Sequence, residues 1–277
     1  MRLFRAGPPA GAAARSVADP GTRRVHGLHA VRALLARRPD AIVSAALLHE
    51  PSPKLEELAR ELRKRGVRVE RVRRGDLDRL CGGGVHQGVV VGVRPQPAFE
   101  LADFEALVAE RGRAVRLLVL DGVEDPRNLG ACLRTADAAG IDAVVVPRAH
   151  AAKLTPAAVK VATGAAETVP LLRAPNLART LQWLKAANVW VVGADAQAER
   201  SLYKAQLVPP VAIVLGGEGR GLRRLTRDLC DELVAIPMAG AVASLNVSVA
   251  AGVVLFELLR QAPPRLATRL ERGPPSG

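Results

Sequence analysis

Cysteine and histidine are scarce in this chain of 277 residues, which contains three of the first and five of the second. Cys81, Cys132 and Cys230 are far apart and form no Cys-x-x-Cys pair, which argues against a zinc site and against a disulfide framework. The histidines show no His-x-x-x-His or His-Glu-x-x-His spacing. We therefore predict a cytoplasmic protein that holds no metal.

Aromatic residues are equally few, and all seven lie outside positions 25–94. This argues against RNA binding by stacked aromatic rings in that part of the chain. Residues 236–256 form a run of 21 without a charge, which is long enough to span a bilayer. Because Pro237, Gly240 and Asn246 interrupt the run, it predicts a loop followed by a buried helix and no membrane span.

Acidic residues are outnumbered, since 40 Lys and Arg against 27 Asp and Glu give a net charge of +13. Residues 1–24 carry five Arg and one Asp, and residues 25–94 carry fourteen basic and eight acidic residues. The rest of the chain is nearly balanced, with twenty-one basic and eighteen acidic residues. A basic region of this kind is typical of a protein that meets a polyanion, although a solvated charged face has the same composition.

The chain divides into two α/β regions flanked by segments that we expect to be disordered. Residues 1–24 predict a disordered basic extension, and residues 263–277 a disordered tail. Residues 25–95 predict a small α/β domain, and residues 96–112, which contain Pro97 and a short helix at 101–111, predict a linker. From residue 113 to 262 strands alternate with helices, which predicts a mostly parallel, doubly wound sheet.

In the larger domain we assign the elements from apolar runs and helical spacing. Strands are predicted at 115–120, 143–146, 169–172, 189–192, 211–215 and 233–236. Helices are predicted at 129–139, 156–163, 177–187, 222–230 and 246–261. The first three of these helices have a polar residue where a cap is expected: Asn128, Thr155 and Asn176.

A glycine-rich segment follows the strand at 211–215 and reads Gly216-Gly217-Glu218-Gly219-Arg220-Gly221. It has no G-x-G-x-x-G frame and no following Lys with Ser or Thr, which argues against a nucleotide-dependent oxidoreductase and against a P-loop. Two interpretations remain. The segment is a tight strand-to-helix turn, or it is a loop whose bare backbone folds around an adenosyl group.

Arg134 lies in a predicted helix that otherwise consists of small and apolar residues. A guanidinium in such surroundings is costly unless it reaches an anion or water. Two roles are open: a structural ion pair with Asp121 or Asp137, or a contact with an RNA phosphate or with a 2′-oxygen that gains negative charge.

Ser244-Leu245-Asn246-Val247-Ser248 opens the last predicted helix. The two serines and the asparagine satisfy the requirements of a capped N-terminus. Helix N-termini also bind anionic groups, so a role in a ligand site is the alternative.

These segments belong to three stretches, 120–140, 214–222 and 236–257, in which polar residues follow glycine or proline at the end of an apolar run. In their order and spacing they resemble the motifs of the SpoU/TrmH family of RNA ribose 2′-O-methyltransferases. The likeness extends from about residue 26 to residue 261. It is greatest to the bacterial branch that methylates a guanosine ribose in the peptidyl-transferase region of 23S ribosomal RNA.

The resemblance implies a fold, a cofactor and partners. The larger domain would have the SPOUT-type fold with a deep trefoil knot, form a homodimer and bind S-adenosylmethionine. The small domain would have an L30e-like fold and bind 23S ribosomal RNA or a ribosome precursor. The implied catalytic residues are Asn128, Arg134, Glu218 and Asn246. The implied cofactor contacts are Gly216, Glu218, Ile236, Ser244 and Leu245. The implied RNA contacts are His29, Arg32, His86 and Gln87.

The implied reaction needs a ribose hydroxyl aligned with a sulfonium methyl group and the loss of one proton, without a metal or a covalent nucleophile. Alignment alone can contribute up to about 7–11 kcal/mol. Because an arginine stays protonated up to a pKa above about 12, our hypothesis is that Arg134 stabilises the forming alkoxide and an adjacent phosphate.

Two alternatives remain open. The first is the same chemistry on transfer RNA, against which the additional amino-terminal domain argues, since the smallest transfer-RNA enzymes lack it. The second is an RNA-binding protein that has lost catalysis. The presence of all four implied catalytic residues argues against this second alternative.

Overall fold

The computed structural model describes residues 21–50, 52–94 and 98–261. The expected tail at 263–277 and residues 1–20 of the expected extension lie outside the described residues. The chain forms two compact units, Met1–Ala98 and Phe99–Gly277. Within the described ranges, no helix combines the length and the apolar character that crossing a membrane requires.

The first unit is a four-stranded mixed sheet with helices on both faces. Its elements in chain order are β1 (Arg23–His26), α1 (Leu28–Arg37), β2 (Ile42–Leu48), α2 (Pro53–Lys64), β3 (Arg68–Val72), α3 (Arg74–Cys81) and β4 (Val89–Val93). The sheet has the order β1-β4-β2-β3, in which only β2 and β3 are parallel. Leu47 packs with α1 and α2, whereas its neighbour Ala46 packs with α3 on the other face.

Strand β1 was not predicted, and it begins inside the segment assigned to the disordered extension. Its first two residues, Arg23 and Arg24, are charged, which obscures the apolar alternation of a strand. Pairing with β4, in which Val25 lies opposite Val91, accounts for the strand. The ordered part of the first unit therefore starts before Val25.

The second unit contains a six-stranded sheet in which all neighbouring strands are parallel. Its elements in chain order are α4 (Leu101–Arg111), β5 (Arg116–Asp121), α5 (Pro126–Ala139), β6 (Ala143–Pro147), α6 (Pro156–Ala162), α7 (Ala165–Thr168), β7 (Leu171–Ala174), α8 (Leu177–Ala186), β8 (Trp190–Ala194), β9 (Val211–Gly216), α9 (Arg224–Leu229), β10 (Glu232–Val234) and α10 (Val247–Gln261). The strand order is β10-β8-β9-β5-β6-β7.

Both faces of this sheet are covered, which explains why its strands are continuous apolar runs. In β5, Leu118 and Leu120 belong to one buried cluster, and Leu117 and Val119 belong to the cluster on the opposite face. The predicted doubly wound, parallel sheet is confirmed. The uncharged run at 236–256 is confirmed as a loop followed by a helix, α10, whose Val254 side chain is completely buried.

The cap predicted at Asn128 is wrong, because α5 begins at Pro126, two residues before Asn128. Its cap is Asp125, whose Oδ1 accepts the backbone N–H of Arg127 at 2.7 Å. Pro126 at the first helical position has the backbone angle that a helix start requires, so Asp125-Pro126 is the stronger start signal. The other two caps, Thr155 and Asn176, are confirmed by their side-chain hydrogen bonds.

The predicted strands differ from the structure by one or two residues at their ends, and two of these differences have a physical reason. The strand predicted at 169–172 is observed at Leu171–Ala174, because the unpredicted helix α7 extends to Thr168. The strand predicted at 233–236 ends at Val234, and residues 235–246 then run without regular structure to α10.

The predicted linker at 96–112 needs correction because α4 packs into the second unit. Phe104 of α4 is completely buried and lies in the same cluster as Leu117 and Leu181. Its ring contacts Phe99 edge-on, with centroids 6.4 Å apart, and lies 6.0 Å from Trp183. The helix is therefore part of the fold, and Gln96 and Pro97 of the predicted linker lie outside the described residues.

We expect Phe104→Ala to lower the free energy of unfolding of the second unit by about 3–5 kcal/mol, because it removes a large buried side chain. Tryptophan fluorescence during urea unfolding measures this change, since Trp183 and Trp190 both lie in the second unit. The matched control is Leu101→Ala on the same helix, whose side chain is 40% exposed and whose loss should cost no more than about 0.5 kcal/mol. Equal costs for the two variants would contradict the packing of α4.

Candidate active site

The candidate site lies at the carboxyl ends of β5 and β9, the two central strands of the second unit. These strands are neighbours, and Asp121 at the end of β5 lies opposite Gly216 at the end of β9. The chain order of the strands reverses at this point of the sheet. Open α/β sheets bind their ligands in the crevice beyond such strand ends.

A pocket of about 350 Å³ opens beside these strand ends. Residues 194–197, 215–222 and 243–245 line it together with Ile236, Met238 and the first turn of α10. The structure brings all five predicted cofactor contacts to this lining: Gly216, Glu218, Ile236, Ser244 and Leu245. The volume is in the range of small-molecule sites, and the lining combines glycine backbone with apolar side chains.

The glycine-rich segment is a tight turn, as one of its two interpretations predicted, and it also lines the pocket. The N–H of Gly221 donates to the carbonyl of Gly217 at 3.1 Å, which closes the turn. A Cβ added at Gly216 would overlap the backbone of Gly221, and one added at Gly217 would overlap the carbonyl of Gly122. Glycine is therefore required at both positions, because any side chain would displace the loop.

Asp121 holds this loop in place, a role that the sequence did not predict. Its Oδ2 accepts the backbone N–H of Arg223 at 3.0 Å, and its Oδ1 lies 3.5 Å from the Arg223 guanidinium Nε. Its carbonyl accepts the N–H of Gly217 at 2.9 Å. The side chain is almost completely buried. An acidic residue that ends an apolar strand was the only signal for this role in the sequence.

Three of the four predicted catalytic residues form one hydrogen-bonded chain. Asn246 donates through Nδ2 to Oδ1 of Asn128 at 3.3 Å, and Asn128 donates through its own Nδ2 to Oε1 of Glu218. Asn246 also caps α10, since its Oδ1 accepts the N–H of Ser248 at 2.9 Å. The chain connects the α5 motif, the glycine-rich loop and the start of α10. It presents amide and carboxylate groups at the edge of the pocket.

Arg134, the fourth predicted catalytic residue, does not join this chain. It lies six residues after Asn128 on α5, about a third of a turn around the helix from it. Its side chain is exposed and, within the described ranges, makes no hydrogen bond or ion pair.

The two ion pairs considered for Arg134 are therefore wrong. Asp121 contacts Arg223, and Asp137 accepts a hydrogen bond from the Thr168 hydroxyl at 2.8 Å. The expected desolvation cost of Arg134 does not arise either, because its guanidinium faces water.

Cys132 lies one turn after Asn128 but is not a nucleophile. Burial, and to a smaller extent the Glu218 carboxylate, raises the pKa of the Cys132 thiol to about 12. The thiol therefore stays protonated at neutral pH. The site can orient and hydrogen-bond a hydroxyl group, and it holds no thiolate for covalent catalysis. Across residues 21–50, 52–94 and 98–261, no cluster of His, Cys, Asp and Glu side chains could hold a metal ion.

The predicted RNA contacts of the first unit fall into two groups. His29 and Arg32 are exposed on α1, and Arg32 forms an ion pair with Glu57 at 2.6 Å. His86 is buried: its Nε2 lies 3.1 Å from Asp78, and its Nδ1 accepts the N–H of Gly88 at 2.9 Å. Gln87 is exposed, and its Oε1 accepts the N–H of Leu28 at 3.0 Å, at the start of α1. His86 and Gln87 thus make structural contacts within the first unit.

Comparison with known proteins decides the family. Residues 116–256 match the model of the SpoU rRNA Methylase family, and residues 24–98 match the model described as RNA 2′-O ribose methyltransferase substrate binding. The chain belongs to the SpoU rRNA methylase family. The resemblance inferred from the three motifs is confirmed, and the first unit of this SpoU family member corresponds to the substrate-binding model.

Its curated relatives are similar over nearly their whole length. The 23S rRNA (guanosine-2′-O-)-methyltransferase RlmB of Yersinia pestis is 51% identical over 238 residues, which cover 86% of this chain and 96% of the relative. The protein of the same name from Escherichia coli K12 is 48% identical, with 86% and 98% covered.

A solved SpoU structure shares the fold. The SpoU methyltransferase AviRb from Streptomyces viridochromogenes, crystallised in complex with the cofactor AdoMet, superposes with a TM-score of 0.70 and 25% identity. The superposition covers 90% of this chain and 96% of that one. The predicted fold class, a SPOUT-type α/β domain with a small amino-terminal RNA-binding domain, is confirmed.

We expect Gly217→Ala to weaken binding of S-adenosylmethionine, the ligand of the AviRb structure, by at least about tenfold. The added methyl group forces the glycine-rich loop away from Gly122, and overpacking of this kind costs about 1–3 kcal/mol. Isothermal titration of the purified protein measures the affinity.

Gly240→Ala is the matched control for this prediction. No atom lies within 4 Å of the Cβ that it adds, and Gly240 does not line the pocket. Its affinity should stay within about twofold of the wild type, because uncrowded substitutions cost little. Wild-type affinity in Gly217→Ala would show that the cofactor does not use this loop.

Proposed function

We propose that this SpoU family protein is an S-adenosylmethionine-dependent enzyme that methylates the ribose 2′-oxygen of a guanosine in 23S ribosomal RNA. The observation that carries the proposal is the chain Asn246–Asn128–Glu218 at the edge of the glycine-lined pocket. The two RlmB relatives, about half identical in sequence, support the choice of substrate. The motif resemblance supports a target in the peptidyl-transferase region.

The pocket fits S-adenosylmethionine. The glycine-rich loop offers bare backbone that a flat adenosyl group can approach closely, and Leu215, Ile236 and Leu245 provide apolar walls. The carboxylates of Asp195 and Glu218 at the lining are suited to hydroxyl and ammonium groups. When bound, the cofactor supplies a sulfonium methyl group. The predicted contacts at Gly216, Ile236, Ser244 and Leu245 are part of this proposal.

The residues of the polar chain orient the ribose. Asn128 and Asn246 hold each other and Glu218 in fixed rotamers, so a hydroxyl group that binds beside them loses little further entropy. Arg134 is free of partners and exposed, so its guanidinium is available to a phosphate and to the 2′-oxygen as negative charge develops. The proton leaves through water or transiently through the guanidine.

We expect Arg134→Ala to lower the rate of methyl transfer to 23S RNA by at least about 100-fold, the usual effect of losing a donor that stabilises developing charge. Arg134→Lys keeps the charge but loses the planar fork, and should retain intermediate activity. Transfer of labelled methyl groups to transcribed 23S RNA measures both rates. The control is Arg113→Ala, another exposed arginine of the second unit, which should keep wild-type activity. Full activity in Arg134→Lys would contradict the bidentate role.

The substrate is tested by mapping ribose methylation in cells with and without the gene. A single guanosine of 23S RNA should lose its mark, and wild-type protein but not Arg134→Ala should restore it. Loss of a mark on transfer RNA instead would favour the alternative substrate. Binding of S-adenosylmethionine and RNA without transfer would favour the inactive RNA-binding protein.

We further propose that the enzyme acts in the cytoplasm as a homodimer. Its substrate, 23S RNA or a ribosome precursor, supports the location. The support for the dimer is an apolar stripe on α10, where Val249 is 51% exposed, Phe256 is 50% exposed and Val253 lies half-buried between them. Their spacing of four and three residues places them on one face, opposite the core residue Val254. Exposed apolar patches of this kind mark association surfaces.

Phe256→Asp should convert the dimer into a monomer, because it would bury a charge in the stripe. Size-exclusion chromatography with light scattering measures the mass. Leu225→Asp on α9 is the matched control, since Leu225 is 60% exposed and lies outside the stripe; it should leave the dimer intact. A wild-type protein that is monomeric at micromolar concentration would contradict the dimer.

A further inference from the structure

The loop that connects β6 to α6, residues 148–155 (here the β6–α6 loop), carries three exposed polar side chains. Arg148, His150 and Lys153 all point outward, and within the described ranges none of them makes a side-chain hydrogen bond or ion pair. Several other cations of the second unit form ion pairs, as Lys185 does with Asp231 at 2.8 Å and Arg227 with Asp195 at 3.3 Å. The loop cations are therefore free to bind an external anion.

The loop belongs to a segment without acidic residues. From residue 148 to residue 166 the sequence contains Arg148, Lys153 and Lys160 but no Asp or Glu. This contrasts with the near balance of charge in the chain after residue 94. The adjacent motif loop carries two exposed carboxylates, Glu124 and Asp125, and the exposed Arg127, so it offsets only part of this charge. A local excess of positive charge on an exposed loop attracts polyanions.

The β6–α6 loop lies at the same edge of the sheet as the candidate active site. β6 is the neighbour of β5, and the loop leaves the carboxyl end of β6. The N–H of Ala152 donates to the carbonyl of Val123 at 2.8 Å, which joins the loop to the segment between β5 and α5. That segment leads to Asn128. In the strand order β9-β5-β6, the loop and the pocket lie on opposite sides of the β5 motif.

Arg173 of β7 fixes the loop backbone. Its Nη1 donates to the carbonyl of Ala152 at 2.9 Å, and its Nη2 donates to the carbonyl of Arg148 at 3.1 Å. The N–H of Arg148 donates to the carbonyl of Ala174 at 2.8 Å. Because both ends of the loop are tied down, little backbone entropy remains to be lost when its side chains bind a ligand.

We propose that the β6–α6 loop is a phosphate-binding element for the substrate RNA. The loop holds the part of the RNA strand that lies beyond the target ribose, on the side opposite the cofactor pocket. This inference rests on the proposed function. Arg148 and Lys153 each contact a phosphodiester, and His150 between them donates a hydrogen bond to the backbone of the RNA. Such contacts fix the register of the strand without reading its bases. Arg173 is a positioning residue that acts through the loop.

The test measures RNA affinity and its salt dependence for Arg148→Ala, Lys153→Ala and the double variant, with transcribed 23S RNA as the probe. Each single change should weaken binding about tenfold, the usual effect of losing a charge-assisted contact. The double variant should lower the slope of log affinity against log salt concentration by about 1.4–1.8, which corresponds to two phosphate contacts. The turnover rate at saturating RNA and the affinity for S-adenosylmethionine should not change.

Arg113→Ala is the matched control, because Arg113 is an exposed arginine of the same unit that lies before β5, at the opposite edge of the sheet. It should change neither the affinity nor the salt slope. If the double variant behaves like this control while Arg134→Ala still stops methylation, the loop proposal is overturned and the proposed function stands. If wild-type protein binds the RNA but never methylates it, the proposed function fails, and the salt slopes still decide the role of the loop.

Arg173→Lys tests the positioning role separately. Lysine keeps the positive charge but cannot bridge two carbonyls with a planar fork. We expect a several-fold higher KM for RNA with an unchanged kcat and an unchanged salt slope, because both phosphate-binding cations remain. A fall in kcat or in affinity for S-adenosylmethionine, or a KM equal to that of the wild type, would contradict this role.

Discussion

The buried carboxylate of Asp121 ties the central strands of the second unit to the loop that lines the pocket. It ends β5 beside Gly216 of β9 and accepts the N–H of Arg223 beyond the glycine-rich turn. Without this acceptor a buried N–H would lose its partner, at a cost of about 1–3 kcal/mol. The close approach of Gly217 to Gly122 and the contact of Glu218 with Asn128 both require the loop to be closed in this way.

Much of the fold and of the pocket could be predicted because the relevant signals are local. Apolar runs locate the strands, and a parallel sheet places their carboxyl ends along one edge, so Gly216 and Ile236 were expected at the same edge of the sheet. The features that were missed depend on distant partners. The burial of Phe104 needs Trp183, and the role of Asp121 needs Arg223.

Arg134 shows where sequence reasoning about a functional residue stops. Helical periodicity places Arg134 about a third of a turn around the helix from Asn128. It does not reveal what each helix face contacts: the side chain of Asn128 contacts the glycine-rich loop, whereas that of Arg134 is exposed to water. The structure thereby separates two tasks within one helix. Asn128 belongs to a hydrogen-bonded polar chain, whereas the guanidinium of Arg134 is exposed to water.

The basic residues also fall into two groups, those that form ion pairs and those that do not. In the first unit, several exposed arginines form surface ion pairs, such as Arg32 with Glu57 and Arg68 with Glu70. Their contribution to RNA binding is therefore the net excess of positive charge of the unit. The attraction that this charge exerts acts over about a Debye length and is screened by salt. In the β6–α6 loop, unpaired cations stand on a backbone that Arg173 fixes. A diffuse excess of charge concentrates RNA at the surface but cannot align a hydroxyl group. In the proposed reaction the polar chain Asn246–Asn128–Glu218 provides this alignment. The fixed loop next to the β5 motif holds the strand in one register, which net charge alone does not do.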